Sequence, residues 1–176
     1  MNRVNPVLAV IVPCYNEEKI LRESHKVFYS ILKDMIEKKI ISSKSYICYV
    51  NDGSKDSTWE IIKSFIKEDE GIKGISLARN FGLQGALVAG LYTCKADAYI
   101  TIDCDLQEDP EVIYQLTEEY KNGNDTVYAV RKSRTGDGWF RTFAGNLFYK
   151  IMDLLGSETI KNQSEVRLIS SRIVEV

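Results

Sequence analysis

Short, uninterrupted apolar runs alternate with longer segments of helical periodicity, and this alternation constrains the fold more than any other feature of the chain. Val7 to Val12 is apolar throughout, rich in β-branched residues and closed by Pro13, as expected of a strand buried on both faces. From Glu17 to about Lys39, apolar residues including Leu21, Phe28, Leu32 and Met35 recur at helical spacing. Further strands are expected at Tyr46 to Val50, Ile72 to Leu77, Ala98 to Ile102 and Thr126 to Val130. Helices are expected after a cap at Asp56 or Ser57, from Gly85 to Thr93, and from Asp109-Pro110, where proline suits a first turn. Strands alternating with helices imply an α/β chain with a mostly parallel, doubly wound sheet. With 176 residues, no low-complexity linker and no internal repeat, a single domain over 1–176 is the economical reading.

Composition narrows the partners. A formal net charge of -2 argues against sequence-blind nucleic-acid binding, which needs a strong positive field. The four cysteines show no C-x-x-C spacing and His25 is the single histidine, so neither a zinc site nor a disulfide framework is expected. The opening has no basic lead of a signal peptide, and no apolar run approaches the ~20 residues that span a bilayer. The expectation is a cytoplasmic chain with reduced thiols. Trp139 to Leu155 sets aromatic and aliphatic residues at helical spacing, with Arg141 and Lys150 between them. A core helix is the default explanation; a helix resting on a membrane surface is the alternative.

Sheets of this kind bind ligands beyond the carboxyl ends of their strands. Polar clusters follow each expected strand: Tyr15-Asn16-Glu17, Asn51-Asp52-Gly53-Ser54, Ala78-Arg79-Asn80, Asp103-Cys104-Asp105 and Arg131-Lys132-Ser133-Arg134. Paired carboxylates at a strand exit suit Mg²⁺ or Mn²⁺, which take oxygen ligands and bridge to substrate phosphates. A solvated acidic loop capping the helix near Pro110 would look the same in isolation. The turn after the first strand contains no glycine. The dinucleotide fingerprint is therefore missing, and no P-loop occurs.

The wider string from Thr101 to Pro110, T-I-D-C-D-L-Q-E-D-P, resembles the D-x-D-L-Q-x-x-P segment of family 2 glycosyltransferases. It is most similar to dolichol-phosphate mannose synthases and bacterial polyprenyl-phosphate glycosyltransferases. Four more segments agree in order and spacing: Val12 to Glu17, Val50 to Thr58 (a D-D-G-S-x-D-x-T type), Arg79 to Gly82 (R-N-x-G), and Ser164 to Leu168 (G-D-F-R-L). The resemblance implies a GT-A fold, with a Rossmann-like, mostly parallel central sheet flanked by helices.

The same resemblance assigns roles. Pro13, Tyr15 and Glu17 line a nucleoside pocket, Asp52 takes a ring N–H of the base, and Arg79 belongs to the nucleotide-binding set. Asp103 lies near ribose and metal, while Asp105 and Gln107 contact the Mg²⁺ or Mn²⁺ ion. Arg131 and Arg134 neutralise the diphosphate, for which a guanidinium fork is well shaped. Bland readings stay open beside these: Asp52 as a turn residue, the arginines as a solvated loop. Glu165 stands where similar proteins carry the aspartate proposed as catalytic base, and Val166 replaces the usual phenylalanine.

The implied activity is inverting transfer of a hexose from a UDP- or GDP-sugar to a polyprenyl phosphate, at the cytoplasmic membrane face. Transfer to a polysaccharide or other hydroxyl acceptor is the alternative, and nucleotide-sugar binding without catalysis a third. Similar lipid-acceptor enzymes continue past their R-L-x-x-R segment into membrane helices or an amphipathic tail. A chain ending at Val176 is therefore expected to be shortened at its C-terminus. Nothing in the sequence sets the oligomeric state.

Overall fold

The computed structural model describes residues 3–130 and 163–174. Among these, six strands form one sheet: β1 (Leu8–Cys14), β2 (Tyr46–Asn51), β3 (Ile72–Ser76), β4 (Ala98–Thr101), β5 (Thr126–Val130) and β6 (Gln163–Ser170). Their order is β3-β2-β1-β4-β6-β5. The first four strands of the chain run parallel, as the alternating pattern implies. β6 is inserted between β4 and β5 and runs antiparallel to both. A mixed edge of this kind is common on parallel sheets, and periodicity alone does not reveal it.

Two layers of helix explain why the central strands are apolar without alternation. One face carries α1 (Leu21–Glu37), α2 (Thr58–Glu68) and α4 (Val112–Lys121), packed on Leu8, Val10, Val12, Tyr49 and Ile100. The other face carries α3 (Gly82–Thr93), whose Ala86 and Leu87 pack on Ala9, Ile11, Cys48 and Val50. β1 and β2 are covered on both sides and nearly every residue is buried. The approach of α3 is close: a Cβ on Gly90 would lie 2.6 Å from Ile11 Cγ2. His25 stacks on Phe65 with ring centroids 3.8 Å apart and hydrogen-bonds the Tyr49 hydroxyl at 2.9 Å. Burial lowers its pKa, and the single histidine is part of the packing. All four cysteines are buried and free.

Helix starts differ from the periodicity-based expectation, two for local reasons and one because of a neighbouring loop. α1 begins at Leu21 rather than Glu17, because Glu17 to Ile20 form a turn closed by the Ile20 N–H on the Glu17 carbonyl. α3 begins at Gly82 rather than Gly85, since Asp52 supplies the cap described below. α4 begins at Val112, after a turn in which Asp109 accepts the Glu111 N–H through Oδ1 and the Val112 N–H through its carbonyl. The segment Trp139 to Leu155 lies outside the described residues.

Gly53, after β2, is required twice over. Its φ is +66°, and a Cβ would stand 2.4 Å from the Arg79 carbonyl carbon. Left-handed strain costs about 1–3 kcal/mol, and the backbone clash adds to it. Gly53→Ala is therefore expected to lower the melting temperature by several degrees, at ~2–4 °C per kcal/mol for a chain of this size. A thermal melt checks this; an unchanged transition would show that the 53–79 approach yields freely.

Candidate functional site

The loops leaving β1 and β2 are fastened together by side chains of the second. Ser54 Oγ accepts the Asn16 N–H at 3.0 Å, Thr58 Oγ1 accepts the Glu17 N–H at 2.8 Å, and Asp56 Oδ2 accepts the Glu18 N–H at 3.2 Å. In return Asn16 Oδ1 accepts the Lys55 N–H at 2.8 Å and Glu18 Oε2 the Ser57 N–H at 3.0 Å. Asn16 sits at φ +57°, a conformation asparagine tolerates better than most residues. The Ser, Asp and Thr of the second motif thus hold the first motif's backbone. The sequence shows these residue types at short spacing but not which loop they serve.

Asp52 joins a third element. Its side chain is 3% exposed, and its two oxygens accept the Phe81 N–H at 2.8 Å and the Gly82 N–H at 2.9 Å. α3 has no side-chain cap from its own N-cap residue. Asp52 fills that role from the neighbouring loop, where a carboxylate is favoured by the helix dipole and the open amides.

Together these loops frame a cleft of about 220 Å³ at the carboxyl ends of β1, β2 and β4. Among its lining residues are Pro13, Tyr15, Glu17, Asp52, Asp103 and Asp105. The other described lining residues are Asn80, Gly82, Leu83, Ala86, Cys14 and Cys104, to which the sequence reading assigns no individual role. Cys14, Asn80, Gly82 and Cys104 lie within the motif segments, and Leu83 and Ala86 just beyond one of them. Tyr15 is 41% exposed, which leaves a ring face available. Asp105 is fixed by its own turn, its Oδ1 accepting the Gln107 N–H at 3.1 Å. Leu106 between them takes φ +56° and packs against the core.

Among the described residues the cleft's lining is acidic, with no Lys, Arg or His. Burial raises the Glu17 pKa, and the nearby charges of Asp105, Asp56 and Asp103 raise it further. A carboxyl raised in this way adds stability below its ordinary pKa, and that contribution is lost as pH rises through the raised value. Carboxylates that repel one another at a strand exit fit a divalent cation. Among the described residues no three His, Cys, Asp or Glu side chains group as ligands. A pair of carboxylates is nonetheless the usual protein share for Mg²⁺, whose other positions go to phosphates and water.

Two residues named from the sequence stand apart from this lining. Arg79 is exposed with its guanidinium 4.7 Å from the Phe81 ring centroid, and Gln107 is exposed in the loop after Asp105. Arg131 and Arg134 lie outside the described residues. Glu165 lies in β6, and its side chain is likewise outside what is described. The β4–β6 ladder ends at Thr101 opposite Arg167, and β6 extends past it toward Glu165 in the direction in which β4 runs on to Asp103.

Comparison with known proteins agrees with this geometry. A Bacillus subtilis protein, the uncharacterized glycosyltransferase YkoT, is 40% identical over 99% of this chain and 52% of its own length. An Escherichia coli protein named prophage bactoprenol glucosyl transferase homolog is 37% identical over 96% of this chain and 53% of its own. The chain thus spans about half the length of the curated relatives it matches. Glucosyl-3-phosphoglycerate synthase from Mycobacterium tuberculosis, solved with Mn²⁺, UDP-glucose and phosphoglyceric acid, superposes with a TM-score of 0.65. That match is 22% identical and covers 96% of this chain and 58% of the other. The mannosyltransferase PcManGT from Pyrobaculum calidifontis, solved with GDP-Man and Mn²⁺, gives 0.61 at 17% identity, covering 99% and 47%. Both likenesses speak to the fold, which is GT-A. Residues 9–172 match the family described as Glycosyl transferase family 2, and the chain belongs to that family.

Proposed function

We propose that this chain is a single catalytic domain that transfers a hexose from a uridine or guanosine diphosphate sugar to a polyprenyl phosphate, with inversion at the anomeric carbon, at the cytoplasmic face of a membrane. The observation that carries the reading is the acidic cleft in which Tyr15, Asp52, Asp103 and Asp105 meet at one sheet edge. The acceptor follows the E. coli relative, whose name refers to bactoprenol. No helix among the described residues is long and apolar enough to cross a membrane.

In this reading Tyr15 stacks on the base and Pro13 and Glu17 border it. Each Asp52 oxygen already accepts one backbone amide and keeps a lone pair for a ring N–H. Asp103 and Asp105, with Gln107, hold Mg²⁺ or Mn²⁺. When bound, that ion supplies positive charge against the charge building on the departing nucleoside diphosphate. Arg79, Arg131 and Arg134 are assigned to the nucleotide and its diphosphate, where a guanidinium fork matches phosphate oxygens.

Glu165 separates the acceptor classes. A hydroxyl acceptor still holds a proton that a base must take, and such help is typically worth about 10²–10⁴-fold in rate. A phosphate acceptor, with second pKa ~6, supplies its own anion. Glu165→Gln is therefore expected to cost little turnover on a polyprenyl phosphate above pH ~7 and more as pH falls. Turnover against pH for both proteins is the measurement. A loss in the full general-base range at every pH would point to a hydroxyl acceptor instead.

A further inference from the structure

β6 carries a group that the reading above leaves unused. Arg167 pairs with Thr101, the last residue of β4, and Asp103 follows two residues on at the cleft. Val166 and Leu168 on either side are fully buried against the face that holds α1, α2 and α4. Strand alternation puts Arg167 on the opposite face, the one that carries α3 and the cleft. Arg167 is not among the cleft's described lining residues, but adjacent strands lie ~4.8 Å apart, so it stands one strand away from the chain that runs on to Asp103. The Arg167 Nε is buried and, among the described residues, has no hydrogen-bond partner. Arginine is always charged and its N–H groups form a rigid fork. A buried donor left without an acceptor is costly, and such groups call for an explanation, among them a ligand that brings the acceptor.

We propose that Arg167 binds a phosphoryl group at the rim of the cleft, with Nε and one terminal nitrogen forming the fork. This rests on the transfer reading, in which two phosphoryl sources meet here: the donor's diphosphate and the acceptor's monophosphate. A phosphoryl oxygen satisfies the orphaned N–H, and the positive charge of the guanidinium offsets the repulsion between the phosphoryl group and Asp103 and Asp105.

The test is calorimetry on the wild type, Arg167→Gln and Arg167→Lys, with two probes: UDP or GDP in the presence of Mn²⁺, and a short-chain prenyl phosphate. Arg167→Gln is expected to weaken one of them by about tenfold or more, and Arg167→Lys to recover part of the loss by keeping charge without the fork. Loss on the nucleotide assigns the donor diphosphate; loss confined to the prenyl phosphate assigns the acceptor. Unchanged affinity for both overturns the proposal. So does an equal loss on both, with a lowered melting temperature that lysine does not repair, because that marks a structural role. Binding needs no turnover. A wild-type chain that binds these probes but transfers no sugar counts against the function alone, and one that binds neither counts against both.

Discussion

Asp105→Asn is expected to lower turnover on the order of 10³-fold, several kcal/mol of transition-state stabilisation, while leaving the fold intact. The side chain is exposed and its only described bond is the Gln107 N–H on Oδ1. An asparagine oxygen can still accept that bond, so the 105–107 turn survives. What disappears is a negative charge at the proposed metal position, close enough to Glu17 to raise its pKa. Turnover measured against Mn²⁺ concentration should show the loss and a partial rescue at high metal. Turnover within a few-fold of wild type at every Mn²⁺ concentration would remove Asp105 from the metal site.

Asp52→Ala is expected to damage both stability and binding. A residue that only takes a ring N–H of the base, as the family resemblance assigns Asp52, would weaken nucleotide binding on removal and leave the melting temperature nearly unchanged. The structure changes the second half of that expectation. Asp52 is almost fully buried and holds the Phe81 and Gly82 amides at the start of α3. Gly82 keeps a second acceptor in Asn80 Oδ1 at 2.9 Å, so the main orphan is the Phe81 N–H. Losing a charged cap and stranding that donor should cost roughly 2–3 kcal/mol, or about 5–10 °C in melting temperature. Nucleoside diphosphate affinity should fall by a further ~1–3 kcal/mol, the loss of one buried hydrogen bond to the base. Thermal melts and calorimetry on the same variant separate the two. A stable protein that binds normally would contradict both roles.

The fold was legible where one physical rule dominates. β1, β2 and β4 read as unbroken apolar runs because helices cover both their faces, and their parallel pairing follows from the helices between them. The antiparallel β6 was not legible, since its place between β4 and β5 depends on a partner far away in the chain. The start of α3 failed for a related reason. α3 begins early because Asp52, thirty residues upstream, caps it, and no local propensity encodes that. The cleft was legible through its charged and aromatic residues, which chemistry singles out. Leu83 and Ala86 line it by position alone, and Ser54, Asp56 and Thr58 serve it from behind by holding the Asn16 to Glu18 backbone.

The central claim is tested most directly by the product. The chain is incubated with Mn²⁺, a labelled α-linked UDP- or GDP-hexose and a polyprenyl phosphate, and the anomeric configuration of any glycosyl phosphate is read by NMR. The account predicts label on the lipid phosphate in the β configuration, lost when the metal is chelated. An α-configured product would contradict inversion, and label passing only to hydroxyl acceptors or to water would contradict the proposed acceptor.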